Sequence, residues 1–257
     1  MKYPIILVHG VMIKDFKFFK AFGRIEGILN KNGYKCYTAD IDGMGSTITN
    51  AEQLKTFILE VLRKDNVDKV NLIAHSKGGL DSKYMIENLG MDDKVSSLIT
   101  LCTPYKGSPI ATTILRMPGW IIWCAKTWFN VIYKIFKDKK PDALKVCKEL
   151  ALVDSIEDKC MSLKEVYVES YSTKLNRSRD NFLMGIPHAF CRYFYKEEEN
   201  DGLVSSDSAK FINYQGDCLN ESISHTDIVD FMIGKKKREK IHMFYLKLAS
   251  RLQDKGF

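Results

Sequence analysis

One short segment of the chain combines a serine, small flanking residues and a strand-to-helix change of pattern. An apolar run ends in Ala74-His75-Ser76-Lys77-Gly78-Gly79, and a helical pattern follows. Ser76 has small residues two before and two after it, as a sharp strand-to-helix turn requires, with Ala74 where glycine is usual. Larger side chains there would clash. Such a turn lifts the hydroxyl above the sheet edge, at the N-terminus of the helix. The helix dipole and free N–H groups there favour a developing negative charge. On this reading Ser76 is a nucleophile; the bland alternative is a serine that caps the helix.

A serine nucleophile needs an oxyanion hole, a base and a group to orient the base. The backbone N–H of Lys77 is one candidate donor. The other is Val11, which follows the strand end His9-Gly10. Five histidines are available: His9, His75, His188, His225 and His242. His9 and His75 sit inside other motifs, and His242 lies within a terminal helical pattern. His225 occupies a polar loop, Ser222-Ile223-Ser224-His225-Thr226-Asp227, just before that helix, and is the preferred base. His188 is the weaker alternative. Asp201, in the turn Asn200-Asp201-Gly202, stands 24 residues before His225 and is the candidate acid. The order serine, acid, histidine is the one expected of such a sheet. Taken alone, Asp201 reads as an ordinary turn aspartate.

The elements that must position these residues alternate in period. Apolar strand-length runs fall at 5–8, 34–39, 69–74 and 95–101, with amphipathic helical patterns at 16–30, 51–64 and 78–88 between them. In 51–64 the apolar positions Leu54, Phe57, Ile58, Val61 and Leu62 follow helical spacing, with Asn50 as a plausible N-cap. Mostly apolar strands separated by amphipathic helices predict a parallel sheet covered on both faces. The alternation stops near 105. Residues 109–150 read as helical and hold all three tryptophans, Trp120, Trp123 and Trp128. There an apolar stripe (Ile121/Ile122, Ala125, Trp128/Phe129, Ile132, Ile135/Phe136) opposes a polar one of Lys126, Asn130, Lys134 and Lys137. A strand at 166–171, a helix at 180–195 and a terminal helix at 236–252 complete the pattern.

Composition excludes several classes. The chain has 257 residues, 45% hydrophobic and 28% charged, so it is neither disordered nor of low complexity. Its longest uncharged apolar run, 120–125, is far too short to cross a bilayer. No signal-peptide pattern precedes the first strand, so the chain reads as non-secreted. Seven widely spaced cysteines, without a C-x-x-C pair, read as free and mostly buried thiols. The net charge of +7 collects partly in Lys134, Lys137, Lys139 and Lys140 and partly in Lys235-Lys236-Lys237-Arg238. The first group suits an anionic lipid surface; the second reads as a solvated face. Nucleic acid is not expected, because no recognition motif accompanies the charge.

The short motifs, in order, resemble the bacterial triacylglycerol lipases of the α/β-hydrolase superfamily. They are Tyr3-Pro4-Ile5-Ile6-Leu7-Val8-His9-Gly10, Asn50-Ala51-Glu52-Gln53-Leu54, the 71–80 segment around Ser76, Thr103-Pro104 with Gly107-Ser108, Asn200-Asp201-Gly202-Leu203-Val204-Ser205, and His225-Thr226-Asp227. The resemblance implies nucleophile Ser76, acid Asp201, base His225 and oxyanion donors Val11 and Lys77. It implies one α/β-hydrolase domain over 1–257, with a helical cap or lid at about 109–150. Trp120, Trp123, Trp128 and Phe129 would then contact substrate; the alternative is a core helix packed on the sheet. Departures are the residues Met12-Ile13-Lys14 after Val11, where the family often has glycines or a small residue, and the calcium site of the family. Asp227 matches one calcium ligand, Phe231 stands where a second would fall, and Asp180 is a candidate upstream acid. The chemistry requires no cofactor, and one matched carboxylate is thin support for calcium. Asp227 bracing the His225 loop is the alternative.

The expected function is carboxylic ester hydrolysis on acyl glycerols or similar lipid esters. The rivals are a short-chain esterase or thioesterase, a membrane phospholipase or acyltransferase, and a non-catalytic lipid-binding protein on the same scaffold.

Overall fold

The computed structural model describes residues 1–11, 20–151 and 162–257. Among them, β1 (Ile5–Val8), β2 (Cys36–Thr38), β3 (Val70–His75), β4 (Val95–Leu101), β5 (Tyr167–Ser172) and β6 (Tyr214–Asp217) form one sheet. Its order is β2-β1-β3-β4-β5-β6, and every pairing is parallel. The continuous apolar runs follow from burial on both faces. Ile5 and Leu7 turn to one layer with Ile73, Ile99, Tyr245 and Leu248; Ile6 and Val8 turn to the other with Leu72, Leu54, Ile58 and Met85.

The first layer is α1 (Ile25–Lys31) and α9 (Lys235–Asp254); the second is α2 (Thr47–Asp65) and α3 (Lys77–Asn88). Helix α2 starts earlier than the 51–64 pattern suggests. Ser46 is its N-cap, its Oγ accepting from Thr49 N–H at 3.3 Å. Asn50 is buried one turn inside, where its Nδ2 donates to Asp42 O and Asp81 Oδ2. Strand β6 escaped the sequence reading because Tyr-Gln-Gly-Asp at a sheet edge is only partly buried and carries no apolar signal. The first part of the predicted 16–30 helix and the Met12-Ile13-Lys14 loop lie outside the described residues.

Helices α4 (Pro109–Leu115), α5 (Gly119–Ile135) and α6 (Ala143–Glu149) are inserted between β4 and β5. The C-terminal end of α5 is clasped to the loop after β2. Asp42 accepts from Lys139 N–H at 2.8 Å and Lys140 N–H at 2.7 Å, while Asp138 accepts from Gly43 N–H at 3.0 Å and Met44 N–H at 2.8 Å. Reciprocal carboxylate-to-amide bonds of this kind satisfy backbone groups that neither segment pairs internally. In the last third, the predicted 180–195 helix is realised as α7 (Gly185–Phe194), preceded by a 3-10 turn, Ser178–Asp180. A four-residue helix, α8 (Ser206–Ala209), follows Asp201.

Candidate active site

Ser76 joins β3 to α3 with φ 55 and ψ −131, a positive φ that a side-chain-bearing residue adopts only under constraint. Glycine on both sides makes this turn fit. A Cβ on Gly78 would lie 2.5 Å from Val8 O, and one on Gly10 would lie 2.7 Å from Ser76 Cβ and 3.0 Å from Lys77 N. The end of β1 therefore presses against the turn, which brings Val11 to the rim of the same cavity as Ser76.

His225 reaches Ser76 from the loop before the 3-10 turn Asp227–Val229. Its Nε2 lies 2.9 Å from Ser76 Oγ and its Nδ1 lies 2.8 Å from Asp201 Oδ2. The carboxylate accepts only, so Nδ1 carries the proton and Nε2 accepts from the serine hydroxyl. Asp201 is held in turn: its Oδ1 accepts from Leu203 N–H at 3.0 Å and Val204 N–H at 2.9 Å, and its Oδ2 from Thr173 Oγ1 at 3.3 Å. The backbone N–H of His225 donates to Asp201 O at 3.0 Å, so the two loops are joined twice. All three side chains are buried.

Sequence patterning assigns no role to His75; its position beside Ser76 is the one signal it carries. Its Nε2 is 3.0 Å from His225 O, and the two rings lie 4.6 Å apart. Burial, with the nearby His225 ring adding to it, holds His75 well below the usual histidine range, so it is neutral and donates. His188 is excluded as the base: its Nδ1 meets Ser178 Oγ at 2.9 Å and its Nε2 meets Leu175 O at 3.1 Å.

The Lys77 side chain is fully buried in an ion pair with Asp81 at 2.6 Å, and Asn50 donates to the other Asp81 oxygen at 3.0 Å. Its backbone N–H opens α3, where an oxyanion donor is wanted. Cys102 lies beside the acid, its Sγ 3.0 Å from Thr173 Oγ1, and burial pushes its thiol far up, so it is no thiolate.

A cavity of about 380 Å³, within the size range of small-molecule sites, opens over Ser76 and His225. The inserted helices roof it, but not with the residues expected. Trp120, Trp123 and Trp128 are 71%, 67% and 68% exposed and point to solvent. The cavity face of α5 is instead Ile122, Ala125, Lys126, Phe129 and Tyr133. Phe129 is thus the one residue of the predicted aromatic set that lines the cavity. The periodicity was helical as expected, but α5 is apolar on more than one face, so the stripe alone did not fix which side turns inward.

Asp227 does not fit a calcium ligand. Its Oδ1 accepts from Asn181 Nδ2 at 2.9 Å, and its Oδ2 accepts from Ser224 N–H and from the Lys237 ammonium, each at 2.9 Å. A cationic side chain occupies the coordination space that a cation would need. Asp180 binds Ser222 Oγ instead, at 2.6 Å. Among the described residues the one grouping with metal-ligand spacing is His75, Cys102 and His225, and His225 there has both ring nitrogens engaged.

A parallel sheet with a strained serine after its third strand, and an aspartate and a histidine from later loops, defines an α/β-hydrolase. Solved structures share this fold: Staphylococcus hyicus lipase (TM-score 0.69, 15% identity, 98% of this chain and 95% of that one) and Bacillus licheniformis lipase BlEst2 in mature form (TM-score 0.62, 20% identity, 89% and 86%). The family described as palmitoyl protein thioesterase matches residues 4–173, and the chain belongs to that family. A triacylglycerol lipase of Pseudarthrobacter phenanthrenivorans is 38% identical over 116 residues, 43% of this chain and 35% of the relative. Triacylglycerol lipase 2 of Saccharomyces cerevisiae is 25% identical over 266 residues, 91% of this chain and 73% of the relative. The chain spans about a third of the length of the bacterial lipases it matches at 38% identity.

Proposed function

We propose that this chain is a serine hydrolase of lipid esters, with residues 109–150 as the cap of a single catalytic unit. The observation that carries the reading is the continuous link Ser76–His225–Asp201, at 2.9 and 2.8 Å, on the floor of an apolar cavity. Ser76 Oγ attacks the ester carbonyl while His225 Nε2 takes its proton. Asp201 stabilises the imidazolium, and the N–H groups of Val11 and Lys77 receive the tetrahedral oxyanion. Collapse expels the alcohol, which takes the proton from His225. Water, deprotonated by the same nitrogen, then cleaves the acyl-serine and releases the carboxylic acid.

Lipid as the substrate class is supported by the cavity and by the outer face of α5. Trp120, Trp123 and Trp128 project into solvent, and the 109–150 segment holds eight Lys and Arg against three Asp and Glu. Exposed tryptophans among basic residues suit the surface of an anionic bilayer. No helix among the described residues is long and apolar enough to cross one.

A fluorophosphonate probe should label Ser76, and a chain-length series of p-nitrophenyl esters should be hydrolysed, with rates rising at an emulsified interface. A chain that neither labels nor turns over any ester sinks the reading. The family match favours a second reading, a thioester in place of an oxygen ester. Faster turnover of an acyl thioester than of its oxygen ester would select it.

A further inference from the structure

Helix α5 carries its one awkward residue on the inside. Lys126 lies on the cavity face between Ile122 and Phe129, at i+4 and i−3, while the tryptophans face out. The sequence pattern puts Lys126 on the side opposite the apolar stripe; the structure places it on the wall of the cavity that Ser76 also lines. Among the described residues no Asp or Glu lines the cavity, and Lys126 is the one permanently charged side chain there. Among the described residues its ammonium forms no ion pair and donates to no side-chain or backbone oxygen.

Among the described residues, the acids of the inserted segment are engaged elsewhere. Of the three acids in 109–150, Asp138 is bound to Gly43 and Met44 N–H, Glu149 to Thr47 N–H at 2.8 Å, and Asp142 caps α6 through Lys145 N–H. Among the described residues, the three acids of this segment are thus engaged by backbone amides and none of them pairs with Lys126. Drawing an ammonium partly out of water without an anion costs free energy, and a leucine or methionine would roof the cavity without that cost. An anion brought by the substrate removes it, because a charge-assisted bond in a low-dielectric cleft is stronger than in water.

We propose that Lys126 is the head-group site of this cavity: it binds a phosphate on the alcohol side of the substrate, which makes acylglycerol phosphates the preferred esters. The proposal rests on the hydrolase reading above and deepens it. The acyl chain occupies the apolar wall, the ester carbonyl lies at Ser76, and the phosphate remains outside the bonds that break. Lys126 thus sets specificity and takes no part in proton transfer.

The test compares 1-acylglycerol 3-phosphate with the 1-monoacylglycerol of the same chain, both in neutral detergent micelles, using the full chain. The readout is the ratio of kcat/KM for the two substrates in wild type, Lys126→Met and Lys126→Arg. The wild-type ratio should be ten or more, should fall at least ten-fold in Lys126→Met, and should stay within three-fold in Lys126→Arg. Because the ratio is internal to each protein, a general loss of folding does not move it. A wild-type ratio near one, or an unchanged ratio in Lys126→Met, overturns the proposal. A Lys126→Met effect confined to inhibition by added fatty acid also overturns it, since Lys126 would then hold the product carboxylate. If Ser76 fails to label with fluorophosphonate and neither substrate turns over, the hydrolase reading falls as well; labelled Ser76 with no phosphate preference removes this proposal alone.

Discussion

The Nε2–H of His75 donates to the backbone carbonyl oxygen of His225 at 3.0 Å, and the two rings are tilted by 49° at a centroid separation of 4.6 Å. The residue before the nucleophile thus steadies the base. His75→Phe keeps a ring but loses the donor, and should lower kcat about ten-fold, the worth of one neutral hydrogen bond, with little change in KM. His75→Gln should recover part of that loss. Since burial keeps His75 neutral, it should add no ionisation of its own to the pH–rate profile between pH 5 and 8. Equal losses in kcat for both variants would rule out the hydrogen bond as the cause.

Ser76→Ala should lower kcat by roughly 10⁶-fold, the scale of nucleophile removal in serine hydrolases. Residual esterase activity of more than a few per cent would mean that another group attacks.

The ammonium of Lys237 sits on Asp227, whose carboxylate is buried, and this ion pair braces the His225 loop. Neither EDTA nor added calcium should shift the melting temperature or the activity. Lys237→Ala, which strands the carboxylate, should cost about 1–3 kcal/mol in chemical denaturation. A drop in melting temperature with EDTA, restored by calcium, would contradict the bracing role.

Burial raises the Asp81 carboxyl to about 6, above the ordinary aspartate range, against the opposing pull of Lys77. Below pH 3.8 both the folded and unfolded chains hold this proton, so the group has no effect on stability. Between there and pH 6 the unfolded chain releases it first. Stability from this group is therefore highest in acid and declines as pH rises through that window. Denaturation midpoints of wild type and Asp81→Asn at pH 4, 5, 6 and 7 should diverge in slope below pH 6 and run parallel above. Parallel curves throughout would show that the pair does not titrate there.

Replacing Trp120, Trp123 and Trp128 with serine should weaken binding to phosphatidylglycerol vesicles at least ten-fold, because each ring loses its apolar transfer to the interface. The ratio of vesicle-borne to soluble ester hydrolysis should fall with it. Undiminished vesicle binding would assign the aromatic face another partner.

Much of the site is local information. The Ser76 turn is a run of small residues after an apolar strand, and the loops of Asp201 and His225 carry short motifs in the expected order. The period-2 and period-3.6 patterns were enough for the parallel sheet and its flanking helices. Where the structure departs from the sequence pattern, the deciding contacts are remote. Asn50 looks like an N-cap until Ser46 caps α2 and Asp81, on another helix, claims the Asn50 amide. Asp227 looks like a metal ligand until Lys237 arrives from the next helix.

By itself, then, the sequence determined which residues can react and which segments become strands and helices, because turn sterics and side-chain periodicity act over a few neighbours. The tertiary structure alone decided which face of α5 closes the cavity. That helix is apolar on several sides, and its rotation is set by the clasp between Asp138 and the amides of Gly43 and Met44, more than ninety residues away in the chain. With the helix held there, burial of Tyr133 against Met44, Ala143 and Val146 turns Lys126 inward and leaves the tryptophans in water.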